Sequence, residues 1–332
     1  MKGRHEIRVV SRKTVYRLEL ERKVSVIKGN SGTGKSSLIR LISEYLEFGK
    51  KSGIKINVDS SASLGVLTNS SEWEKILSSV HDTVLFVDED VDYIYSDSFQ
   101  KELWKADCYA VIVSRSGGFT GIPYSISGIY EFVTEKKDEN TITSMYRLYG
   151  EEHRSGDFET VLTEDSNSGF EMAKYAFDYG GTEVLAAGGN ASVLGVLIKN
   201  WKPDGQICVN VDGAAFGAFI EAVLKFAEIK GNILVSAPES FEFVILNFSD
   251  VKKHLSSDCG ELIRTYDYCD GCEYSSWEQY YENLLAGVTS EHFGFTYNKR
   301  KLNPRFKNRK CAEQYVNLLC QSFVRRREQE KA

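Results

Sequence analysis

One octapeptide constrains the fold of this chain more than any other feature of its sequence. Residues 29–36 read Gly-Asn-Ser-Gly-Thr-Gly-Lys-Ser, between an apolar run at 24–28 that predicts a strand and a pattern from Ser37 onward that predicts a helix. Glycines let the backbone turn so tightly that successive N–H groups point into one concavity, and the helix N-terminus adds its positive dipole end. We expect this loop to bind phosphate groups through Gly29, Asn30, Ser31, Gly32, Thr33, Gly34, Lys35, Ser36 and Ser37.

An acidic pair follows another strongly apolar run. Residues 84–87 are Val-Leu-Phe-Val, and Asp88 and Glu89 come directly after them. A carboxylate at the end of a central parallel strand lies beside the phosphate loop, so Asp88 and the Ser36 hydroxyl are expected to hold Mg²⁺. Glu89 is placed to activate a water, which favours hydrolysis of a nucleoside triphosphate over phosphoryl transfer to a metabolite. A strand that simply ends in acidic turn residues is the alternative.

These two motifs resemble the Walker A and Walker B elements of the P-loop NTPases. The adjacent Asp-Glu is typical of the branch that has an additional strand between the two motif strands, and residues 54–59 are expected to supply that strand. The resemblance implies an ATPase with ATP and Mg²⁺ as cofactors and catalytic roles for Lys35, Glu89 and Ser114. Ser114 ends the next apolar strand, where this branch has a polar sensor of the γ-phosphate. Since no signature of the ABC-type ATPases precedes Asp88, the chain resembles a minimal ATPase core.

Length and element pattern predict two α/β domains. The 332 residues exceed a typical domain of about 150, and short β-branched runs alternate with helical stretches. We expect a P-loop domain with a parallel sheet over 1–150 and a charged, Ser- and Gly-rich linker over 151–169. A second α/β domain over 170–250 and a mixed, cysteine-bearing and basic region over 251–332 complete the expected organisation.

A second acidic strand end lies in the predicted second domain. Residues 207–211 form an apolar run that delivers Asp212 to a turn of small residues before a helix. This run resembles the acidic strand of Toprim folds, as found in ATPase-linked nucleases of the overcoming-lysogenization-defect type, and Glu239 and Glu242 are further candidate carboxylates. Ala187 and Ala214 stand where that family has acidic residues. The resemblance implies either a nuclease or a degenerate domain that binds nucleic acid or a partner; a helix N-cap is the alternative role of Asp212.

The tail contains a candidate structural zinc site. Cys269 and Cys272 form a C-x-x-C, and His254 and Cys259 lie upstream. These four side chains could complete a tetrahedral set, with buried reduced thiols as the alternative.

Charge and hydropathy bear on partners and location. Residues 1–55 carry 14 Lys and Arg against 5 Glu, and residues 299–332 carry 11 against 3, although the whole chain has a net charge of −6. Basic ends on an acidic body predict contact with nucleic acid, and a solvated face is the alternative. No run approaches the ~20 apolar residues of a membrane span, and no secretory signal begins the chain. We therefore expect a cytoplasmic protein with no membrane partner.

Two hypotheses follow for the whole chain. In the first, ATP hydrolysis controls a Toprim-like module that meets nucleic acid or a partner protein, in a setting such as phage defence that the domain pairing suggests. In the second, the protein is a nucleotide-gated assembly or scaffold, a homo-oligomer with little turnover and no nuclease activity.

Overall fold

Two compact units make up the protein. The computed structural model describes residues 3–68, 72–88, 91, 93–154, 156–178, 180–255 and 277–326. The first unit runs to Leu148 and the second begins at Tyr149, close to the boundary expected at residue 150.

The first unit combines nine strands and three α-helices among its described residues. Its strands are β1 (His5–Ser11), β2 (Thr14–Leu20), β3 (Val24–Lys28), β4 (Lys55–Val58), β5 (Ser63–Leu67), β6 (Thr83–Asp88), β7 (Cys108–Ser114), β8 (Ile129–Lys137) and β9 (Asn140–Arg147). Its α-helices are α1 (Lys35–Phe48), α2 (Trp73–Ser79) and α3 (Asp97–Lys105).

The strands form one mixed sheet in the order β4-β1-β2-β9-β8-β3-β7-β6-β5. From β8 to β5 all neighbours are parallel, whereas β1 pairs antiparallel with β2 and β4, and β8 with β9. Every residue of β3 and β7 is buried, as expected for strands covered on both faces. The α/β class is confirmed, with an antiparallel part that the sequence analysis did not predict.

Residues 54–59 do not supply the strand between the two motif strands, so that prediction is wrong. They contain β4, which pairs with β1 at the edge of the sheet. The strand that separates β3 from β6 is β7. Burial explains the difference, because β4 is at most half-buried, whereas the continuous apolar run of β7 suits a central position.

Helix α1 packs on this sheet and holds the loop before it in place. Leu38 and Ile42, one turn apart on the same helix face, are fully buried in a cluster with Val9 and Ile27. The N-terminal end of α1 is therefore rigidly positioned next to the end of β3.

The second unit is also α/β. Its strands are β10 (Tyr149–His153), β11 (Phe158–Thr163), β12 (Glu183–Ala186), β13 (Gln206–Asn210), β14 (Ile233–Ser236) and β15 (Gln321–Arg325). Its α-helices within the described ranges are α4 (Ser168–Phe177), α5 (Asn190–Asn200), α6 (Ile220–Lys230), α7 (Phe241–Leu246), α8 (Ser249–Lys252), α9 (Trp277–Phe293) and α10 (Arg309–Leu319). A parallel sheet has the order β12-β11-β13-β14, and β10 pairs antiparallel with β15.

Two expected boundaries in this unit are wrong. The predicted linker 151–169 contains most of β10 and the whole of β11, whose Val161 and Leu162 are fully buried between β12 and β13. The region expected to stand apart from residue 251 onward instead supplies α9 and α10, which pack on α7 and α4. The sequence analysis did not predict β11, because the strand has only six residues and lies between two polar, charged stretches.

Candidate functional site

The predicted phosphate loop, residues 29–36, begins directly after β3 and ends in the first turn of α1, in agreement with the sequence pattern. Gly32 and Gly34 have φ angles of 88° and 90°, in the left-handed region that favours glycine. A Cβ on Gly34 would lie 2.9 Å from Tyr16 Oη. The Tyr16 hydroxyl donates a hydrogen bond to the carbonyl oxygen of Gly34 at 2.9 Å, which fixes this part of the loop against β2.

Lys35 closes over the loop. Its Nζ donates to the carbonyl oxygens of Gly29 at 2.5 Å and Asn30 at 2.9 Å, and to Thr33 Oγ1 at 3.1 Å. A Cβ on Gly29 would lie 3.5 Å from this Nζ and 3.2 Å from Thr33 Oγ1, so any larger side chain would enter the concavity. The buried ammonium group is thus held where the phosphates of a nucleotide would enter.

The first turn of α1 leaves its backbone donors for a ligand. No side chain caps this helix, and its first turn contains no acidic residue. The Ser36 and Ser37 side chains are exposed there. Uncapped N–H groups and the positive end of the helix dipole favour an anion at this position.

Strand pairing brings Ser114 and Asp88 to the same edge as the loop. Lys28, which directly precedes the loop, pairs with Ser114 on β7, and Val113 of β7 pairs with Asp88 on β6. Neighbouring strands lie about 4.8 Å apart, so Ser114 is one strand and Asp88 two strands away from the loop. Lys35, Ser36, Ser114 and Asp88 therefore share one edge, as expected; Glu89 lies outside the described residues.

Ser114 is fully buried at the end of β7. Its Oγ accepts hydrogen bonds from the backbone N–H groups of Ser116 at 3.3 Å and Gly117 at 3.0 Å. The hydroxyl can still donate one hydrogen bond. Ser114 pairs with Lys28, so the hydroxyl lies at the end of the strand next to the loop.

The residues at this edge fit Mg²⁺ bound with a nucleotide. Ser36 supplies a hydroxyl on the first turn of α1, and Asp88 supplies a carboxylate at the end of β6. Mg²⁺ in nucleotide sites takes only one or two protein ligands, because phosphate and water oxygens complete its octahedron. Ser36 and Asp88 would hold the ion, which would neutralise charge on the phosphate oxygens when bound.

A second, acidic site lies at the carboxyl edge of the parallel sheet in the second unit. Glu164 follows β11 and Asp212 follows β13, and Glu164 Oε2 accepts a hydrogen bond from the Asp212 backbone N–H at 3.0 Å. These side chains line a small cavity of ≈ 30 Å³ together with Asn210, Glu242 and Lys299. The structure therefore brings Asp212 and Glu242 together as predicted; Glu239 is not among the residues that line this cavity.

Glu242 is the most deeply buried carboxyl of this site. It is 1% exposed, and its Oε1 accepts a hydrogen bond from the Tyr297 hydroxyl at 2.8 Å. Within the described residues, neither Glu242 Oε2 nor Asn210 Oδ1 has a hydrogen-bond partner. Two buried acceptors thus face a cavity that already contains three further acidic side chains, Glu164, Asp165 and Asp212.

Burial and mutual repulsion favour the protonated forms of Glu164 and Asp212. Burial, and to a lesser degree the charge of Asp165, raises the pKa of Glu164 to about 7, against the opposing effects of the Asp212 N–H and Lys299. Burial, followed by the charges of Glu164 and Glu242, raises the pKa of Asp212 well above its ordinary value. At neutral pH the site therefore retains protons.

Glu164 and Asp165 were missed because they fall in the predicted linker. The signal that could have found them is the apolar Val161 and Leu162, followed within two residues by an acidic pair, as in the run that ends in Asp88. Ala187 directly follows β12, which is a strand at the edge of the sheet. It does not follow β11, which lies inside the sheet between β12 and β13.

The zinc prediction rests mostly on residues outside the described part of the chain, where Cys259, Cys269 and Cys272 lie. His254 is described, and its ring stacks on that of His292 with centroids 4.5 Å apart. In the described ranges no three or more His, Cys, Asp or Glu side chains are arranged to hold a metal ion. Cys108, Cys208, Cys311 and Cys320 are buried and are not in disulfide bonds.

No protein-family model, curated protein or solved structure matches this chain. Among the helices described, none is long and apolar enough to span a bilayer. The chemistry of the two carboxyl-edge sites is therefore the basis for a functional assignment.

Proposed function

We propose that the first unit binds ATP with Mg²⁺ and hydrolyses it. The observation that carries this proposal is the position of β7 between β3 and β6, which brings the phosphate loop, Ser114 and Asp88 to one sheet edge. The P-loop NTPases that this sequence resembles have an additional strand in that position. The resemblance in motifs and the order of strands therefore support the same function.

Each residue then has a role that follows from its chemistry. The loop N–H groups and the Lys35 ammonium bind the β- and γ-phosphates, and Ser36 and Asp88 hold the metal ion. Ser114 donates a hydrogen bond to the γ-phosphate. Glu89 would orient the attacking water and accept its proton, as the resemblance implies.

Replacing Asp88 by asparagine tests this assignment. We expect the rate of Mg²⁺-dependent ATP hydrolysis to fall by about 100-fold, because the neutral amide is a poorer ligand for Mg²⁺. ATP binding without Mg²⁺ should change little. Steady-state phosphate release and equilibrium titration measure the two effects. The matched control is Asp59→Asn, an exposed aspartate just after β4 at the edge of the sheet.

The same assay separates hydrolysis from gated assembly. If wild type and Glu89→Gln bind ATP but both release negligible phosphate, ATP serves to stabilise an assembly and the ATPase proposal is wrong. If Asp59→Asn loses as much activity as Asp88→Asn, the role of Asp88 is not specific. Retained activity in Asp88→Asn would also contradict the proposal.

We propose as a second candidate that the acidic pocket is a Toprim-like site that acts on nucleic acid. The observation that favours it is Glu164 beside Asp212 on neighbouring parallel strands. The resemblance requires a glutamate after the first strand, and the position expected from the sequence contains Ala187. In this proposal Glu164, which follows β11, supplies that glutamate. Since no three or more described His, Cys, Asp or Glu side chains are arranged to hold a metal ion, we assign no catalytic step to this pocket.

The Asp212→Asn variant tests the second candidate. We expect cleavage of single- or double-stranded DNA in the presence of Mn²⁺ or Mg²⁺ to fall by about 100-fold, because one central carboxylate is removed without a change in shape. Gel electrophoresis of labelled DNA measures the effect. The control is Asp204→Asn, an exposed aspartate in the turn before β13. Equal cleavage by wild type and Asp212→Asn would exclude a nuclease at this site.

A further inference from the structure

An open cleft of ≈ 570 Å³ adjoins the phosphate loop. One part of its wall belongs to the loop and α1, with Gly32, Thr33, Gly34, Ser37, Arg40, Leu41 and Glu44. Its volume falls in the range of about 300–1,000 Å³ that is usual for small-molecule sites. A ligand whose phosphates occupy the loop would therefore have room to continue into this cleft.

Two arginines line the cleft without partners of their own. Arg12 lies in the two-residue turn between β1 and β2, and Arg40 lies on α1. Within the described part of the chain, neither guanidinium forms a hydrogen bond or an ion pair, whereas Lys13 next to Arg12 pairs with Glu139 at 2.7 Å. Of the described residues that line the cleft, Glu44 alone has a carboxylate. The cleft thus offers donors that a ligand could use.

Arg12 also stands in a strained backbone conformation. Its φ angle is 47°, in the left-handed region where a bulky residue is disfavoured and glycine is common in hairpin turns. Such strain recurs where a side chain serves a ligand. A turn selected only for stability would favour glycine at this position.

The remaining wall is polar, and the ring of Tyr16 in it already packs against other residues of the protein. Thr134 and Thr143 line the cleft, with their hydroxyl oxygens 3.0 Å apart. Tyr16 is 3% exposed, donates to Gly34 and packs against Phe132. Since its ring face is buried, the planar groups left to stack on a base are the two guanidinium groups.

We propose that this cleft binds the sugar and base of the nucleotide, with Arg12 and Arg40 as its contacts to the nucleoside. This rests on the proposed function, because the cleft receives the nucleoside only if the loop holds the phosphates. Guanidinium groups stack on bases, and hydroxyl and guanidinium donors match the acceptor atoms of sugars and bases.

Comparison of ATP with inorganic tripolyphosphate tests the proposal, because tripolyphosphate occupies the phosphate site but has no nucleoside. We expect Arg12→Gly and Arg40→Ala each to weaken Mg-ATP binding by about 10-fold and tripolyphosphate binding by no more than about 2-fold in calorimetric titrations. Arg12→Gly should leave the melting temperature unchanged or raise it, since glycine relieves the strained φ. Arg17→Ala, an exposed arginine of β2 outside the cleft, is the matched control.

Each other outcome has a definite meaning. Unchanged ATP affinity in both variants would overturn the proposal, and so would equal losses for ATP and tripolyphosphate, which would make the arginines phosphate contacts. A loss of ATP affinity in Arg17→Ala as large as in Arg12→Gly would also overturn it. If wild type binds neither ligand, the proposed function fails and this inference fails with it; if it binds tripolyphosphate as tightly as ATP, the inference alone fails.

Discussion

Replacing Lys35 by alanine is expected to raise the dissociation constant for Mg-ATP by about 100-fold, or about 2.7 kcal/mol. The physical reason is that Lys35 is 6% exposed and its ammonium lies over the loop, within hydrogen-bond distance of two loop carbonyls and Thr33. A triphosphate bound there without this cation would face the carbonyl dipoles uncompensated. Equilibrium titration with a fluorescent or labelled nucleotide measures the loss.

The matched control is Lys50→Ala, which removes an exposed ammonium just beyond the C-terminal end of α1. It should leave the dissociation constant within about 2-fold, because screening weakens its long-range attraction. Circular dichroism melts of both variants show whether either change unfolds the first unit. Saturable ATP binding by folded Lys35→Ala with wild-type affinity would show that the loop is not the nucleotide site.

The second unit is expected to lose stability as the pH rises through neutrality. Glu164 has an ordinary pKa of 4.5 that the folded state raises to about 7, so the folded state binds its proton more tightly than the unfolded state. The resulting contribution is present in full below about pH 4.5 and is lost as the pH rises to about 7 and beyond. Its size is on the order of 3 kcal/mol. Asp212, Asp165, Glu242 and Lys299 are the titratable groups that surround it.

Glu164→Gln is expected to remove most of this loss, because the amide has the shape of the protonated acid and cannot ionise. The measurement is urea unfolding at pH 5 and pH 8, with hydrogen exchange of β11 and β13 amides to follow the second unit separately. Glu159→Gln, which changes an exposed glutamate on the same strand, is the control and should keep the wild-type difference. A wild-type pH dependence that survives in Glu164→Gln would contradict the raised pKa of Glu164 and point to Asp212 instead.

Comparison of β4 with β7 shows where sequence reasoning failed in the first unit. Both are short segments that the residue pattern identified as strands, but their sequences do not state which strands they join. The partner of β4 is β1, about 50 residues earlier in the sequence. Strand β7 lies between β3 and β6, and both of these strands precede it in the sequence. Strand order depends on such distant pairings, whereas strand-forming tendency is local.

The amino-acid sequence by itself determined the glycine-rich loop 29–36, its flanking strand and helix, and the acidic end of β6. Each of these depends on neighbouring residues: glycines that adopt positive φ, a helix start, and an apolar run that ends in a carboxylate. Only the tertiary structure decided which side chains meet. It placed Glu164 beside Asp212 although 48 residues separate them, and it set Arg12 and Arg40 on one cleft. The physical reason is that these contacts come from packing between elements distant in the chain, where burial and strand pairing outweigh any local preference.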